Sequence, residues 1–130
     1  MDTSVWSLAL RRDPPAGEPA VRFLADALAR GDSVLTTGFI LQELLQGFHG
    51  PKAQDSIIER FAALPLVVAD REDHIQAAQL HNRCRRRGVQ TTTIDVLIAQ
   101  LCIRHGLTLL TTDRDFNRIV GVQPFDLWCP

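Results

Sequence analysis

The chain has 130 residues, 45% of them hydrophobic and 22% charged, with 14 basic side chains against 15 acidic. That length and apolar share predict one domain spanning 1–130 with an aliphatic core that needs no staples, and they exclude disorder. A formal net charge of -1 excludes a uniformly basic nucleic-acid binder but leaves room for local patches.

The predicted elements follow in chain order. No apolar run approaches the roughly 18 residues of a membrane span, and Asp2 stands where a secretory signal carries basic residues, so the expected compartment is the cytoplasm, with no membrane partner. Arg12 to Pro19, with three prolines and a glycine, reads as a loop. Ala20 to Arg30 places Val21, Leu24, Ala25 and Leu28 at helical spacing and stops at Gly31. Ser33 to Thr37 reads as a short strand, and Gly38 to Phe48 as a helix with Ile40, Leu41, Leu44, Leu45 and Phe48 on one face. Pro51 opens a further helix over Lys52 to Ala63, and Pro65 to Ala69 is a brief apolar strand. Arg71 to Arg87 is helical.

Thr92 to His105 is another helix, with Ile94, Leu97, Ile98 and Leu101 inward and Gly106 as its stop. Leu107 to Thr112 is the clearest strand, and a last one falls near Phe125 to Trp128. Short strands alternating with longer helices predict an α/β fold with a parallel sheet covered on both faces. Ligands of such folds bind beyond the C-terminal strand ends. The three cysteines, Cys84, Cys102 and Cys129, form no C-x-x-C pair and read as reduced thiols.

Few acids sit beside apolar segments, and those few attract attention. Glu43 is the one charge between Gly38 and Phe48, at the margin of the apolar stripe, where a solvated surface acid is the plainer reading. Asp95 falls in a first helical turn after Thr92, where capping alone accounts for it. Asp113 follows a strand and precedes a short helical turn at Phe116 that it could cap, and Asp2 could cap a turn in the same manner. Together they fall at strand ends and helix starts. Carboxylates gathered in one crevice repel each other unless a cation lies between them, and hard oxygen ligands select Mg²⁺ or Mn²⁺.

Four segments carry a resemblance: Asp2-Thr3-Ser4-Val5-Trp6, Gln42-Glu43-Leu44-Leu45-Gln46-Gly47, Asp95-Val96-Leu97-Ile98-Ala99 and Thr111-Thr112-Asp113-Arg114-Asp115-Phe116. In order and spacing the chain resembles PIN-domain ribonucleases, and more narrowly the VapC toxins of VapBC toxin–antitoxin systems. The resemblance implies a PIN-like fold with four or five parallel strands between helices. It also implies Mg²⁺-dependent RNA cleavage by in-line attack of a metal-activated water, a small antitoxin partner and a homodimer. Carried over residue by residue, Asp2, Glu43, Asp95 and Asp113 match the family's catalytic and metal-binding acids. Ser4 or Thr3 would orient the first aspartate, Thr111 or Thr112 would position water or phosphate, and Asp115 is either an outer acid or a cap for the Phe116 turn. The family runs several apolar residues before the first aspartate, whereas only Met1 precedes Asp2. The expectation is a shortened first strand or a start upstream of Met1.

Arg85, Arg86 and Arg87, with Arg83 beside them, end a helix, and Arg11 and Arg12 follow the first segment. They read as a phosphate track for RNA or, more plainly, as solvated cations at a helix end. His74, His81 and Cys84 share a helix face, but a structural zinc draws on two segments and four ligands, so packing is the expected role. A phosphatase of the haloacid-dehalogenase type would want Asp where Ser4 stands. The rival class is a non-catalytic PIN-like module that binds RNA or protein without turnover.

Overall fold

The computed structural model describes residues 19–128, so the expectations for Asp2, Thr3, Ser4, Arg11, Arg12 and Cys129 lie outside the described residues. The chain divides into two compact units after Val68.

In the first unit, α1 spans Pro19–Arg30, with proline at the start, where its missing N–H costs nothing. Its buried face is Ala20, Leu24 and Ala27, while Leu28 is 45% exposed. Of the expected stripe Val21, Leu24, Ala25 and Leu28, only Leu24 is fully buried. Alanines at 20, 25, 27 and 29 allow two helical stripes one residue out of phase, and the one with the smaller side chains is the face that packs.

Thr37 caps α2 (Gly38–Gly47) by accepting a hydrogen bond from the Ile40 N–H at 3.3 Å. Ile40 and Leu44 of α2 are buried, as are Ile57 and Phe61 of α3 (Pro51–Ala62), which packs against α2. The Gln54 amide donates to the carbonyls of Leu45 and Phe48, closing acceptors that the end of α2 leaves open. Thr36 pairs in parallel with Leu66: its N–H donates to Pro65 at 3.2 Å, and its carbonyl accepts from Val67 at 2.7 Å.

The second unit starts with a reciprocal cap. Asp70 accepts from the Asp73 N–H at 2.9 Å and Asp73 from the Asp70 N–H at 3.0 Å, opening α4 (Arg71–Arg86). Helix α5 spans Thr93–His105 and ends at Gly106, whose φ of 62° is the left-handed conformation that favours glycine. Val96, Leu97, Ile98, Ala99, Leu101 and Cys102 are all buried, so α5 is enclosed on most sides, by α4 above all. The expected turn at Phe116 is a full helix, α6 (Asp115–Val122), because Phe116 and Ile119 supply an apolar stripe that buries against α4 and α5.

Leu109 pairs in parallel with Leu127, with 2.9 Å bonds to Asp126 and from Trp128. The parallel sense matches the reading of the sequence. Among the described residues pairing is limited to these two isolated bridges, one in each unit. No helix among them is long and apolar enough to cross a membrane.

Candidate metal centre

Three acids of the second unit converge. Asp95 sits in the first turn of α5, where the Thr92 hydroxyl accepts from the Asp95 N–H at 3.1 Å. The cap is therefore made by threonine, and the Asp95 carboxylate is not needed for it. Asp113 lies in the loop after Leu110, and its N–H donates to the Thr111 hydroxyl at 2.9 Å. Its Oδ1 accepts in turn from the Asp115 N–H at 2.9 Å. These two consecutive side-chain-to-backbone turns fix the loop from within and start α6. Asp113, one of the two acids the sequence offered as a cap for this turn, takes the Asp115 N–H, while Arg114 stands at the N-cap of α6 with no side-chain cap bond.

One oxygen each of Asp95, Asp113 and Asp115 lies within 4.8 Å of the others. Asp95 and Asp113 are half-buried and Asp115 is exposed, so the group opens to solvent on one side. Oxygens on one Mg²⁺ at about 2.1 Å stand at most about 4.2 Å apart, so the observed spacing is close to that of a shared ion. The donor set fits a hard divalent cation, which would also offset the repulsion among the carboxylates. Asp115, expected as an accessory acid, belongs to the same group as Asp95 and Asp113.

Glu43 is exposed on α2 of the first unit, and Thr112 is exposed beside Thr111. Arg85 and Arg86 are exposed at the end of α4, whereas the Arg87 guanidinium donates to the Gly121 carbonyl at 3.4 Å.

Among the described residues, His81 and Cys84 belong to no group of three possible metal ligands. The His81 Nδ1 is 2.6 Å from the Thr91 hydroxyl, and Cys84 is wholly buried, with burial pushing its thiol pKa up. Burial likewise raises Cys102 to about 11, so both thiols stay protonated near neutral pH.

Sequence reasoning missed an ion pair. Asp73, 1% exposed, accepts from the Arg104 guanidinium, which also reaches Asp70 at 3.2 Å. The spacing Asp70-x-x-Asp73 before a helix signals the reciprocal cap, but nothing local points to Arg104.

The PIN domain family model matches residues 1–122, and the chain belongs to the PIN-domain family, which carries the PIN-like α/β fold. Among curated relatives, Ribonuclease VapC23 of Mycobacterium tuberculosis (strain ATCC 25618 / H37Rv) is 33% identical over 119 residues, covering 86% of this chain and 89% of that protein. VapC ribonuclease Mb1587 of Mycobacterium bovis is 31% identical over 125 residues, covering 94% and 91%. Ribonuclease VapC11 of Mycobacterium tuberculosis shows the same 31% over 125 residues.

Proposed function

We propose that this protein is a divalent-metal-dependent endoribonuclease acting in the cytoplasm as the toxin of a toxin–antitoxin pair. Its partners are an RNA substrate, a small antitoxin and a second copy of itself. The observation that carries the reading is the convergence of Asp95, Asp113 and Asp115 in a chain of the PIN-domain family, beside relatives named VapC ribonucleases. Asp2 and Glu43 enter through the family resemblance as further acids of the reaction.

Bound there, Mg²⁺ or Mn²⁺ would supply Lewis-acid stabilisation of the phosphodiester and lower the pKa of the attacking water. The chain's own residues prepare for this. Thr111 and the Asp115 N–H hold Asp113 on two sides, so that little ordering remains when substrate arrives. Asp95 lies in the first turn of α5, whose positive dipole end favours an approaching phosphate. A carboxylate of the group accepts the proton that the water gives up. Arg85 and Arg86 supply exposed guanidinium forks for flanking phosphates.

Induced expression in a bacterial host tests the reading. Wild type should arrest growth and leave RNA fragments with 5′-phosphate ends. Asp95→Asn should relieve both effects while keeping the native circular dichroism spectrum. Arrest by the folded Asp95→Asn protein equal to that of wild type would contradict the reading.

A further inference from the structure

The second unit contains a pocket of about 400 Å³ lined by His81, Arg85, Val89, Gln90 and Thr91. Its volume falls in the range of small-ligand sites. The local sequence explains its walls. His81 and Arg85 are four residues apart and share a face of α4. Gly88, with φ of 77°, turns the chain back after the helix and brings residues 89–91 opposite that face. The 2.6 Å contact of His81 Nδ1 with the Thr91 hydroxyl then sets the imidazole plane.

We propose that this pocket binds one unpaired nucleotide of the RNA strand flanking the bond that is cut, and so contributes to the choice of cleavage sequence. The proposal rests on the endoribonuclease reading above. Arg85 takes the phosphate through its guanidinium fork. Gln90 offers a donor and an acceptor to a base edge, and the His81 ring and Val89 side chain provide a face for the base to lie on. Arg83 and Arg86 share the last turn of α4 with Arg85 and add positive charge at that helix end, which favours an anionic strand. Thr91 precedes Asp95 by four residues, which limits the distance between them to about 14 Å along the chain. A strand with one phosphate at the acids therefore needs to extend only a short way to fill the pocket.

The test measures affinity in EDTA, so that cleavage does not enter. The probes are a fluorescein-labelled single-stranded octaribonucleotide pool of random sequence and an abasic octamer with the same ribose-phosphate backbone. Binding is read by fluorescence anisotropy. Wild type should bind the intact pool at least about fivefold more tightly than the abasic chain, since stacking and edge contacts to a base are each sensitive to its loss. Gln90→Ala should lose most of that preference, Arg85→Ala should weaken binding of both probes about five- to tenfold, and Arg22→Ala, an exposed charge of the first unit, should change neither. All three positions are exposed, and circular dichroism checks that each variant folds. Affinities of Gln90→Ala and Arg85→Ala equal to wild type would overturn the pocket assignment. If wild type still cleaves total RNA with Mg²⁺, the endoribonuclease reading survives that result. Failure of wild type both to bind and to cleave would overturn both.

Discussion

Thr111 is the residue on which the acidic loop turns. Its hydroxyl accepts from the Asp113 N–H, and Asp113 passes the same service to Asp115 one step on. Thr111→Val should lower Mg²⁺ affinity about tenfold by calorimetric titration, and Thr111→Ser should restore it, because partners of metal-binding carboxylates are typically worth that much. Asp115→Asn keeps the backbone bond, since only its N–H is used there. It should reduce the rise in melting temperature that Mg²⁺ produces without lowering the melting temperature in EDTA. The grouping of Asp95, Asp113 and Asp115 followed from residue type and from their place at strand ends and helix starts. That Thr111 accepts from the Asp113 N–H depends on a backbone turn of two residues that leaves no periodic trace. At the same scale, burial raises Cys102 to about 11. The unfolded thiol ionises from about pH 8.5, so stability should hold below that value and fall as pH climbs toward 11. Cys102→Ala should flatten that alkaline decline in a melting-temperature series.

Among the elements, α5 carries both ends of the argument: Asp95 in its first turn and Arg104 in its last. Arg104 clasps Asp73 and Asp70 at the start of α4, so one side chain fixes the register between the two helices. The second carboxylate oxygen of Asp73 is buried and has no hydrogen-bond partner among the described residues, which makes the arginine hard to replace. Arg104→Ala leaves a buried carboxylate without its cation and should cost about 2–3 kcal/mol, lowering the melting temperature by about 10 °C. Asp70 responds to acid in the same place. The Asp73 N–H first, and Arg104 with it, hold its carboxyl below the usual range. Its contribution is therefore present above pH about 4 and lost as pH falls through the lowered value. Helix boundaries were readable to within a residue or two because caps and stops punctuate an apolar period. The buried face of α1 was not, since its alanines fit two stripes, and the α4–α5 ion pair joins residues 31 positions apart that no local pattern connects.

For the whole molecule, 14 basic and 15 acidic side chains nearly cancel, yet the sum hides segregation. Within the second unit, Asp95, Asp113 and Asp115 gather at one place while Arg83, Arg85, Arg86 and Arg87 gather at the end of α4. A phosphodiester needs both, a cation-binding acidic cluster for its reacting phosphate and guanidinium groups for its neighbours. Strand direction was legible from the alternation of short apolar runs with helices, and both observed pairings are parallel. Runs of four to six apolar residues signal a strand without specifying how many of its residues pair. The central claim is that the three converging carboxylates form the metal site of an RNA-cutting enzyme. Its most direct test is cleavage of total cellular RNA by purified wild type and Asp113→Asn, each with Mg²⁺ and with EDTA. The account predicts rapid cleavage by wild type in Mg²⁺ alone, with Asp113→Asn slower by at least about 100-fold. Cleavage by Asp113→Asn at the wild-type rate, or by wild type undiminished in EDTA, would contradict it.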